Sequence, residues 1–105
     1  MIVYEVNLEI KVAIFDAYIS WLKPHIKDLL ALDGFIKADL LFDVDSKDDK
    51  ETRKITVAYY LKDYDTYSHY VTNHANQMRE DALKRFNGQF NASRRVLKLE
   101  DTYFL

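Results

Sequence analysis

The chain has 105 residues, enough for one domain with a modest core. Its 49% apolar and 30% charged residues are those of a globular protein, and a net charge of −2 excludes binding driven by bulk attraction to a polyanion. With no Cys there are no disulfides, thiolate nucleophiles or Cys-ligated metals, and the expected setting is reducing and cytoplasmic.

Residues 1–10 alternate, with Ile2, Tyr4, Val6, Leu8 and Ile10 on one face and Val3, Glu5, Asn7 and Glu9 on the other. This predicts a half-buried strand. No basic region followed by an apolar run precedes it, so no signal peptide is expected, and no apolar stretch reaches membrane-spanning length. From Lys11 the period lengthens. Phe15, Tyr18, Leu22, Ile26 and Leu29 recur at helical spacing to about Leu32, where Asp33-Gly34 ends the helix. Pro24 falls inside this helix and cannot donate to the carbonyl of Ser20, so a kink is expected near residues 20–24.

Phe35 to Val44 predicts a second strand, with Ile36, Ala38, Leu40, Phe42 and Val44 on one face. The acidic "DVDSKDDKE" is expected to be a solvated hairpin connection. Its lysines and its lack of Gly do not fit a calcium loop. Arg53 to Lys62 is the third strand, and Asp63 is placed to cap the next helix. That helix carries Tyr67, Tyr70, His74/Ala75, Met78, Ala82 and Phe86 on one stripe and closes at Asn87-Gly88. Ala92 to Tyr103 completes the set as a fourth strand.

The order β-α-β-β-α-β predicts a single α+β domain over 1–105. It is a ferredoxin-like four-stranded antiparallel sheet with two helices on one face. The other face would present Val3, Glu5, Asn7, Thr56, Ala58 and Tyr60, too polar for a tight core and too apolar for bare solvent. A second copy laid across it would make a homodimeric α/β barrel.

The blocks "MIVYEVNLEI", "WLKPHIKDLLALDGFIKADLL", "YYLKDYDTYSHYVTNHANQMREDALKRF" and "ASRRVL" resemble small ferredoxin-like proteins of the dimeric α/β-barrel superfamily. These are relatives of the antibiotic-biosynthesis monooxygenases. The resemblance implies the dimeric barrel. In those monooxygenases a strand-one Asn, a helix-one Trp and nearby Tyr or His groups surround the substrate. By position Asn7 and Trp21 resemble the first two, and His25 or Tyr60 resembles the proton handlers. Pro24 is a departure from that pattern.

Trp21 and His25 are four apart and share the flank of their helix, fitting a pocket wall with a base or an interface anchor with a polar rim. His69 and His74, five apart, are expected on different helix faces, so no metal site is expected. The basic concentration of Arg79, Lys84, Arg85, Arg94, Arg95 and Lys98 raises RNA binding. However, "RKITVAYYL" lacks the Gly-aromatic signature of the RNA-binding module with this topology, and nucleic acid is not expected as a partner. Arg95 is expected to pair with Glu5 or Glu100. With an aromatic content of 14%, these features point to a homodimer that binds a small aromatic or apolar molecule. The alternatives are a cofactor-independent monooxygenase or isomerase using Asn7, Trp21 and His25, and an interaction module without ligand. No cofactor and no membrane association are expected.

Overall fold

The computed structural model describes residues 1–45 and 51–105; the tip of the acidic connection, 46–50, lies outside the described residues. Strand β1 (Ile2–Lys11) is followed by a 3-10 turn (Val12–Ile14) and helix α1 (Phe15–Leu30). Then come β2 (Phe35–Phe42), β3 (Thr52–Leu61), α2 (Tyr64–Asn73), α3 (Ala75–Phe86) and β4 (Phe90–Lys98). The strands form one antiparallel sheet in the order β2-β3-β1-β4, with the helices on one face. This is the α+β ferredoxin-like architecture that the element order predicts. No helix among the described residues is long and apolar enough to cross a membrane.

Alternation on the two central strands builds the core. Tyr4 lies opposite Tyr59, Leu8 opposite Ile55 and Ile2 opposite Leu61, all buried. Tyr4 and Tyr59 stack at 5.8 Å, and Tyr67 and Tyr70 of α2 tilt onto Tyr4 at 5.4 and 5.6 Å. Tyrosine rings bury as much area as other large side chains and favour offset or tilted packing, so they hold α2 on the sheet.

Asp63 caps α2 as its position predicts. Its carboxylate accepts from the Thr66 N–H and the Thr66 hydroxyl, both at 2.8 Å. Gly34 turns the chain out of α1 with φ +86°, and the Thr66 side chain occupies the space where a Cβ would project.

The structure differs from the pattern in several places. The 3-10 turn delays α1 to Phe15, and α1 then runs unbroken through Pro24. In β2, Phe35 pairs with Leu61 but Lys37 with Tyr60. This bulge leaves Ile36 unpaired and exposed, and turns Phe35 inward onto Tyr59 and Tyr70. The second helix breaks at His74 (φ −130°, ψ −30°), which ends α2 and starts α3. The break lets α2 lie over β1 and β3 while α3 packs toward α1, with Asp81 on Trp21 and Phe86 on Tyr18. Finally β4 stops at Lys98. Leu99 adds one bond to Met1, and Tyr103 and Phe104 beyond it are exposed.

Candidate functional site

Between the helices and the β1–β4 half of the sheet lies a cavity of about 280 Å³. Tyr18, Trp21 and His25 of α1 form one wall, Met78 and Arg79 of α3 a second, and Phe90 and Arg94 of β4 the floor. Of the lining residues, Leu83, Asn91 and Arg94 are exposed to solvent. The size is near the lower end of the roughly 300–1,000 Å³ usual for ligand pockets. A ligand of one or two rings fits it.

Each wall has a physical anchor. Trp21 Nε1 donates to Asp81 Oδ2 at 2.6 Å, which ties α1 to α3. The indole packs edge-on against Tyr18 at 5.4 Å, and the His25 ring stacks on it at 4.5 Å and 23°. The Trp21 bond, with Arg85 on the same carboxylate, holds Asp81 below its usual pKa. Burial lowers the pKa of His25, opposed by the negative charges of Asp28 and Asp81. The imidazole is therefore neutral at neutral pH. No group among the described residues hydrogen-bonds to its ring, so one nitrogen is available to accept a proton. Burial pushes the Tyr18 hydroxyl up to about 12, with Arg94 pulling the other way.

Asn7 and Tyr60 lie across the sheet from this cavity. The strand parity that sends Tyr4 and Tyr59 inward sends Val3, Glu5, Asn7, Ala58 and Tyr60 to the open face. There Asn7 Nδ2 donates to Glu5 at 3.1 Å, and its carbonyl accepts from Thr56 at 2.7 Å. Arg95 completes the belt, its Nε donating to Glu5 at 2.8 Å, the pairing its position predicts. Arg95 first, then Asn7, hold the Glu5 carboxyl below its usual range. The Lys37 ammonium sits 4.3 Å from the Tyr60 ring centroid. A second depression, lined by Asn7, Thr56 and Ser93, is more open to solvent. The four candidates thus divide into two pairs, Trp21 with His25 and Asn7 with Tyr60, and no single cavity collects them.

Two expectations about charge also need correction. The His69 and His74 rings approach to 5.7 Å because the helix breaks at His74, where an unbroken helix would splay them. No cluster of three or more His, Asp or Glu among the described residues could hold a metal ion. Arg79 and Arg94 read in the sequence as members of a basic surface, yet both line the cavity. Their positions carried the signal. Arg79 stands four after Ala75 and three before Ala82, on the buried stripe, and Arg94 shares strand parity with Ala92 and Val96.

Comparison with known proteins places the fold. A cofactor-independent oxygenase from Streptomyces nogalater, SnoaB, superposes with a TM-score of 0.69 at 15% identity, covering 96% of this chain and 95% of that one. MhuD, solved with manganese protoporphyrin IX bound, gives 0.70 at 13% identity, covering 99% of each chain. A protein from Deinococcus radiodurans, provisionally named an antibiotic biosynthesis monooxygenase, gives 0.75 at 12% identity, covering 100% and 98%. At these identities the likeness is one of fold, the fold that these proteins share. No curated protein matches the chain. The family model described as a domain of unknown function, DUF4286, matches residues 1–100, and the chain belongs to that family.

Proposed function

We propose that the protein binds a small aromatic or apolar molecule in the cavity between α1, α3 and β4, as a homodimer whose second copy covers the open face of the sheet. One observation carries the ligand site: a neutral His25 stacked on Trp21 in the wall of an aromatic cavity of about 280 Å³. Trp21 and His25 contact the ligand. Asn7 and Tyr60 meet the second copy.

Trp21 is the sole Trp of the chain, so its fluorescence reports on the site directly. A panel of one- and two-ring compounds is expected to contain members that quench it saturably and raise the melting midpoint, because a ligand of the native state stabilises that state. A flat response across the panel would leave an interaction module without ligand as the better description.

A cofactor-independent oxygenase or isomerase is the second reading. It is favoured by the lowered pKa and the available nitrogen of His25, which suit a base taking a proton from an acidic C–H or O–H. SnoaB, named a cofactor-independent oxygenase, shares the fold. For a ligand found in the panel, His25→Gln should keep binding and lose turnover. Equal turnover in the variant would remove His25 as the base.

A further inference from the structure

We infer that the cavity takes its ligand as an anion, a small ring-bearing carboxylate held by Arg79 and Arg94. This rests on the cavity being a ligand site and adds the chemical class of the ligand.

Arg79 enters from α3, and its Nη2 donates to the Tyr4 hydroxyl at 3.2 Å. Its Nε is buried and has no hydrogen-bond partner among the described residues, the one such side-chain atom among them. A buried charged donor left unpaired is costly, and an anion within reach removes that cost. Arg94 enters from β4 on the helix-facing side of the sheet, directly across from Val6.

The cavity lining contains no Asp or Glu. The other arginines of this half of the chain behave differently, since Arg85 pairs with Asp81 and Arg95 with Glu5. Among the described residues neither Arg79 nor Arg94 has an ion-pair partner. Both guanidiniums act on the hydroxyl of Tyr70, another lining residue, where they oppose the effect of burial. A chain of net charge −2 therefore concentrates uncompensated positive charge in one mostly apolar cavity.

A guanidinium matches the two oxygens of a carboxylate in a planar fork. Trp21, Tyr18 and Phe90 in the same lining supply aromatic surface for the body of the ligand. The small volume and apolar remainder favour a carboxylate over a phosphate, whose extra oxygens would need further donors.

The test compares 2-naphthoate with 2-naphthamide, equal in shape and different in charge, by titration calorimetry on the full chain. The acid is expected to bind about tenfold or more tightly than the amide, the ratio for one charge-assisted contact. Arg94→Gln, at an exposed position, and Arg79→Gln are each expected to lower the ratio several-fold through lost affinity for the acid, with circular dichroism checking that each variant is folded. Equal affinities for acid and amide in the native protein would overturn the carboxylate and leave the cavity as a neutral-ligand site. A preference that survives both substitutions would overturn the arginines as its source. Tighter binding of 2-naphthyl phosphate than of 2-naphthoate would overturn the class. Binding of none of the three would overturn the cavity as a binding site as well.

Discussion

At the scale of single residues, His25 couples the cavity to pH. Its folded pKa lies below the unfolded 6.5 because burial disfavours the imidazolium. The unfolded chain then binds more protons between those two values, so stability is present in full above about 6.5 and falls as pH drops through the folded pKa. The thermal midpoint should therefore decline more between pH 7.5 and pH 5 for the native protein than for His25→Gln. Parallel curves would show that the ring titrates as if free. Asp81 supplies a second handle. Its carboxylate raises the His25 pKa, so Asp81→Asn should lower that pKa further, read as a shift of the ring proton resonances in an NMR titration. An unmoved titration would uncouple the two groups. The same substitution weakens the bond that holds Trp21 against α3, since an amide oxygen accepts less strongly than a carboxylate.

At the scale of elements, periodicity specified most of what formed. The alternation in β1 and β3 was plain because a strand buried on one face must alternate, and Asp63 was readable as a cap because few residues can satisfy free N–H groups there. Two features escaped. The bulge at Ile36 reverses strand parity without any Pro or Gly inside β2 to mark it. The break at His74 sits in a stripe that reads equally well as one long helix. The same blindness hid half of the cavity: Arg79 and Arg94 occupy core-facing positions, but charge alone suggested a solvated surface. Asn7 and Trp21 were grouped by analogy, and only strand parity and helix placement put them on opposite sides of the sheet. The turn after α1 gives a direct test at this scale. Gly34→Ala must place a β-carbon in a left-handed conformation and against Thr66, so a loss of roughly 2 kcal/mol or more in urea unfolding is expected. A change within about 0.5 kcal/mol, the range of an ordinary surface substitution, would mean that the turn relaxes freely.

At the scale of the whole molecule, the sheet face away from the helices carries Val3, Tyr60, Leu41 and Leu97 beside the Arg95–Glu5–Asn7–Thr56 belt. Leu41 and Leu97 are exposed there in a single copy. If a second copy covers this face, sedimentation should give a dimer, and Leu97→Asp should weaken it by about thirtyfold or more, as for a central interface anchor. Because the Leu97 side chain lies outside the core, the variant monomer should keep its fold by circular dichroism. An unchanged dimer would place the contact elsewhere. The strand order has another consequence, one of timing. β1 is synthesised before both of its neighbours in the sheet, β3 and β4, and Ile2, opposite Leu61 on one side, finds its second partner only at Lys98. Pairings this distant in sequence close more slowly than the local contacts of a helix. Until β4 arrives, the nascent chain carries an apolar strand with one edge open, and its cavity has no floor.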